Sequence, residues 1–201
     1  ICPPLPPEIE EKRKFYADNW TQMHYDLFPR STGIKPFGAD QIMSIERTKD
    51  IVENGGHLVI AEPRGFAKTS RTSNHALMAV LQGKIRYAII LASSVSKAKE
   101  ILDMIKTELM DNEKLEELYP ATIKCFQALE EKSVRAKNQT YDGEFTNIGW
   151  GTDRIRFPVV PGEASSGSVI QVRPKDNVRG LSHKIKYGPE SGRILRPDFF
   201  F

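Results

Sequence analysis

Apolar residues at Tyr16, Trp20, Met23 and Leu27 recur at helical spacing and mark one face of a helix, which Pro29 and Gly33 would end. A second helix is predicted from about Asp40 to Asn54, with Ile42, Ile45 and Val52 facing inward and Gly55-Gly56 stopping it. The run His57–Glu62 (HLVIAE) is short and apolar and predicts a buried strand. Residues 68 to about 82, with Ala76, Met78, Ala79 and Leu81, predict another helix. Arg86 to Ala92 (RYAIILA) is nearly continuous in apolar character, as strands are when a parallel sheet is covered on both faces. Ser94 or Ser96 can then cap a helix that places Ala98, Ile101, Leu102, Ile105 and Leu109 on one side.

Beyond Lys124 the pattern weakens. Phe126, Leu129 and Val134 are compatible with a continuing helix. Arg154 to Val160 and Ser168 to Val172 predict strands that pair across the Gly/Ser-rich turn at 162–167. The stretch 177–197 reads as loop, and Phe199–Phe201 begins one more strand. Strands alternating with helices indicate an α/β class with a right-handed parallel core. There is no internal repeat and no clear linker, so a single domain is expected, with residues 1–33 as an extension and helix packed on a body at 34–201.

Composition narrows the picture only slightly. The 201 residues are 39% hydrophobic and 27% charged, which fits a soluble globular chain rather than a disordered one. A net charge of +3 with pI near 8.8 is too mild to establish a nucleic-acid partner. Cys2 and Cys125 have no metal-ligand or CxxC spacing and are expected as free thiols in a reducing compartment. No stretch is apolar enough to span a bilayer, and the Pro-rich start lacks the order of a signal peptide. The missing initiator Met and the apolar end lead us to expect a piece of a longer protein.

The chemistry concentrates between the HLVIAE run and the helix at 68. Pro63-Arg64-Gly65-Phe66-Ala67-Lys68-Thr69-Ser70 has the layout of a phosphate-binding loop. In such a loop backbone N–H groups converge, the helix N-terminus adds partial positive charge, Lys reaches the β and γ phosphates, and the next hydroxyl ligates Mg²⁺. Lys68 and Thr69 occupy those last two places. The pattern G-x-x-x-x-G-K-[ST] is broken at both glycines, by Glu62 and Ala67. Arg64 inside the loop can pair with phosphate through two N–H groups. A strand-to-helix turn with an incidental Lys-Thr is the plain alternative.

The Pro-Arg-Gly-x-x-Lys-[Ser/Thr] loop resembles the Walker A segment of tailed-phage terminase large subunits. Pro36-Phe37-Gly38-Ala39-Asp40-Gln41 resembles that family's adenine-recognising segment, where an aromatic residue and a Gln precede the loop. The strand at 86–92, the serines Ser93, Ser94 and Ser96, and the long helix after them resemble its next strand and helix. Val178-Arg179-Gly180-Leu181 and Arg196-Pro197-Asp198 before the Phe199–Phe201 run resemble the approach to its Walker B strand, whose acids would follow Phe201.

The resemblance implies a P-loop NTPase of RecA/ASCE type, a parallel sheet flanked by helices and incomplete at its C-terminal end. It implies ATP and Mg²⁺ as cofactors, held by Phe37, Gln41 and residues 63–70, with Mg²⁺ on the Thr69 hydroxyl. Lys68 and Arg64 would act on the phosphates, and Arg179 would be offered in trans to a neighbouring subunit. It further implies an ATPase that drives viral DNA into a capsid in the cytoplasm of a bacterial host. Its partners would be double-stranded DNA, portal protein, a small terminase subunit and further copies in a ring. Without the Walker B acids and the nuclease part, this piece would turn over little ATP. Lys124, Lys132, Arg135 and Lys137 form a basic stretch that could meet DNA or be a solvated face. A helicase-like ATPase and a non-catalytic module with an altered loop are the competing readings.

Overall fold

A computed structural model describes residues 5–32, 35–176, 181–184 and 191–201. The chain is α/β and about half helical, with a mixed sheet. Eight helices run in the order α1 Pro7–Asp18, α2 Trp20–Leu27, α3 Pro29–Thr32, α4 Ala39–Asn54, α5 Lys68–Leu81, α6 Val95–Asp111, α7 Glu113–Leu118 and α8 Pro120–Gln127 among the described residues. The strands are β1 Tyr87–Ala92, β2 Thr140–Tyr141, β3 Glu144–Phe145, β4 Gly149–Trp150, β5 Arg154–Arg156, β6 Val169–Pro174, β7 His183–Lys184, β8 Ile194–Leu195 and β9 Phe199–Phe200.

The main sheet has the order β4-β5-β6-β1-β9. Its centre is parallel: β1 pairs with β6 from Tyr87↔Val169 to Ala92↔Pro174, and with β9 at Ala88↔Phe199 and Ile89↔Phe200. The expected strands around the 162–167 turn do pair antiparallel, with Arg154 opposite Gln171 and Ile155 opposite Ile170. The sheet is therefore mixed rather than purely parallel. Side chains alternate across β1. Ala88 and Ile90 enter the large core formed with the helices, while Tyr87 and Ile89 join Val169 and Leu195 in a small cluster on the other face. Among the described residues that second face is covered by Leu181 and Leu195, not by a helix.

Local chemistry explains where the helices start and stop. Ser94 caps α6 by accepting from the Lys97 amide at 3.3 Å, and Ala98, Ile101, Leu102, Ile105 and Leu109 are its buried residues, as the spacing predicts. Asn112 caps α7 through Lys114 and Leu115. Gly83, at φ +73°, ends α5: its own N–H donates to the Val80 carbonyl and that of Lys84 to Ala79. A Cβ there would lie 2.7 Å from the Ala164 Cβ.

Several expectations are corrected. HLVIAE is not a strand. It has no regular secondary structure and joins no sheet, with Val59 93% exposed. Apolar character makes a segment fit to be a buried strand but supplies no neighbour to accept its backbone N–H groups. The stripe from Tyr16 to Leu27 is split between two helices at Asn19, which leaves Tyr16 on α1 while Trp20, Met23 and Leu27 are buried on α2. Ile42 faces outward; Ile45 is buried as expected, and Ser44 and Thr48 are buried with it. Val134 continues no α-helix and sits exposed in a 3₁₀ turn at Ser133–Asn138. The 177–197 loop holds a short antiparallel pair, β7 with β8.

The N-terminal helices are tied to the rest by named contacts. Arg13 donates to the Leu118 carbonyl at 2.6 Å, pairs with the buried Glu163 at 3.1 Å, and lies 4.3 Å from the centre of the Tyr119 ring. Cys125 is buried and free, and burial pushes its thiol up to about 11. Cys2 lies outside the described residues. No described helix is long and apolar enough to cross a membrane.

Candidate nucleotide-binding site

The helix that follows the loop begins at Lys68 with Ala67 as its N-cap, in left-handed backbone geometry at φ 53° and ψ 27°. No side chain caps it, and its first turn contains no acid. The first N–H groups of a helix have no intrahelical acceptor, so this terminus presents donors and partial positive charge together. Pro63, Arg64 and Gly65 before it are exposed, and Gly65 has φ +86°. Glycine adopts that angle without strain; alanine at 67 does so at a disadvantage. The backbone bend that a second glycine would provide is thus present despite the substitution.

Lys68 folds back over the loop. Its ammonium donates to the carbonyls of Glu62 and Pro63, each at 2.6 Å. Thr69 is exposed on the first turn, and Ser73 donates to its carbonyl at 2.9 Å. Ser70 is half-buried beside it. Arg64 is exposed and, among the described residues, forms no ion pair. The loop expectation therefore has its residues 63–70 together at one helix start. Arg179 lies outside the described residues.

The upstream segment behaves differently. Phe37 is 8% exposed and packs its ring against Tyr25, at 5.1 Å between centroids, and edge-on to His24. Its N–H donates to the Tyr25 hydroxyl at 2.7 Å. The ring is thus a core group and offers no open face. Gln41 does reach the loop, but both ends of its amide are engaged by the protein. Its oxygen accepts from the Gly38 N–H at 2.9 Å, and its nitrogen donates to the Phe66 carbonyl at 3.2 Å.

A buried ion pair lies underneath, unforeseen from the motif. Arg71 and Glu62 have side chains only 4% and 7% exposed and are joined by a charge-assisted hydrogen bond. The other arm of Arg71 donates to the Gln41 carbonyl at 3.2 Å. The available signal was spacing: Arg71 follows Lys68 by three residues, one helical turn, so both cations share a face. Next to Arg71 sit two buried histidines, His24 and His75, with ring centres 4.9 Å apart. Burial and then the Arg71 charge hold His24 down at about 3. Burial, His24 and Arg71 hold His75 well below its ordinary value. Both are neutral rings at neutral pH.

A cavity of about 410 Å³ opens beside the loop, bounded by Lys68, Arg71 and His75 of α5, by the irregular 57–60 segment and by Phe199–Phe201. Among the described residues no cluster of three or more His, Cys, Asp or Glu could hold a metal on its own. Of the serines at 93–96, Ser94 is the α6 cap, and Asp198 accepts from the amides of Arg86 and Tyr87 at 2.8 and 3.0 Å. In the basic stretch, Lys132 and Arg135 both pair with Glu130, which reduces its net field. No family model, no curated protein and no solved structure matches the chain.

Proposed function

We propose that the 63–70 loop binds the phosphates of ATP with Mg²⁺, and that the chain is the nucleotide-binding part of a DNA-packaging ATPase of the terminase type with a P-loop NTPase fold. One observation carries the nucleotide reading: an exposed turn delivers an uncapped, acid-free helix start with Lys68 as its first residue. Phosphate oxygens would take the first-turn amides and the Lys68 ammonium, and Arg64 would close over the outer face. Mg²⁺, when bound, would neutralise phosphate charge through the Thr69 hydroxyl and the phosphate oxygens themselves. In the whole motor, double-stranded DNA, the portal, the small subunit and neighbouring copies would be partners in the host cytoplasm. That part of the reading rests on the resemblance of the motifs alone.

A non-catalytic module is the second reading, favoured by the unpaired 57–62 segment, since that segment leaves the loop without a strand behind it. Titration of a fluorescent ATP analogue with Mg²⁺ against wild type and Lys68→Ala separates the two. We expect Lys68→Ala to weaken binding at least tenfold, the loss of one charge-assisted contact. Equal affinities would remove the site.

A further inference from the structure

We propose that Glu62 and Arg71 are positioning residues of the phosphate loop, holding its first residue to α5 while Lys68 is engaged elsewhere. The inference rests on the nucleotide reading above. Glu62 stands where the motif has its first glycine, and it is held twice by one helix face. Its carbonyl accepts from Lys68 at 2.6 Å and its carboxylate pairs with Arg71, one turn further along. A triphosphate that draws the Lys68 ammonium away breaks the first hold and leaves the second intact. Arg71 also reaches the Gln41 carbonyl, and Gln41 in turn grips the Phe66 carbonyl near the end of the loop. Both ends of the loop are thereby referred to the first turn of α4.

Fold stability alone does not call for an ion pair here. A buried ion pair is commonly replaceable by apolar residues of similar size without loss, because desolvation offsets its attraction. What apolar residues cannot do is direct a carboxylate and a guanidinium along fixed hydrogen bonds. Keeping a loop in its binding geometry before the ligand arrives raises affinity by removing the ordering penalty.

The experiment is a titration of a fluorescent ATP analogue with Mg²⁺ against the 201-residue chain as wild type, Lys68→Ala, Glu62→Gln and the double variant Glu62→Met/Arg71→Met, with thermal midpoints recorded for each. The double variant is expected to keep a midpoint within a few degrees of wild type and to bind at least tenfold more weakly. Hydrogen exchange of the amides at 64–67 should quicken in it, a change that a purely structural pair would not produce in a fully folded protein. If Glu62→Gln unfolds because Arg71 is left buried alone, the double variant decides. Lys68-dependent binding with the double variant at wild-type affinity overturns this assignment alone. A double variant that does not fold also overturns it. Loss of Lys68 dependence overturns the site and this assignment with it.

Discussion

Ala67 bears the sharpest local conflict in the loop, a side chain at a left-handed angle that glycine tolerates better. Ala67→Gly should stabilise the chain by roughly 0.5–1 kcal/mol, the left-handed penalty less the extra freedom of glycine in the unfolded state. Chemical denaturation would show the gain as a higher midpoint with an unchanged slope. A second residue-scale prediction concerns acid. The folded value of His24 is about 3, below the ordinary value of 6.5, so the unfolded chain binds the proton first. The stabilising effect of keeping this ring neutral is complete above pH 6.5 and is lost as pH falls through that window towards 3. Urea midpoints measured across it should fall steeply, and less steeply in His24→Phe. At this scale the placing of Arg64, Lys68 and Thr69 at one exposed helix start was legible from the motif, because motif spacing is local. Phe37 as a core ring and the Glu62–Arg71 pair were not, because each depends on what lies across space.

At the scale of elements, periodicity was a good guide where a helix or strand had a face to bury. The buried stripe of α6, the body of α5 and the presence of β5 and β6 all follow from it. It misled at 57–62, where an apolar run has no partner strand, and at Asn19, where one stripe spans two helices. Two substitutions test element boundaries. Gly83→Ala places a Cβ against Ala164 at a positive φ, and should destabilise by about 2 kcal/mol or more, since the left-handed penalty alone is 1–2 kcal/mol. Asp198→Ala removes the carboxylate, just before β9, that accepts from the amides of Arg86 and of Tyr87, the first residue of β1. Because Asp198 is exposed, a loss of only about 1 kcal/mol is expected, read as faster amide exchange at Arg86 and Tyr87.

Across the whole molecule, burial is uneven. The helical side of the sheet holds nearly all the core, whereas the 57–60 segment stands apart from β9 across the cavity. Amides at 57–62 should therefore exchange within the fastest class while those of β1 are protected. Val59→Lys should leave stability within about 0.5 kcal/mol, as expected for an exposed site, and should reduce any concentration-dependent association seen by light scattering. The α/β class and the β5–β6 pairing were legible because they follow from the order of elements and a turn signal; the β4 edge was not, because its two residues carry no periodicity.

From Ser73 to Leu81, α5 is enclosed on every side. A rod seated that firmly cannot pivot alone. Any displacement of its first turn would press on α6 and β1, which pack against it, so the loop is backed by the interior.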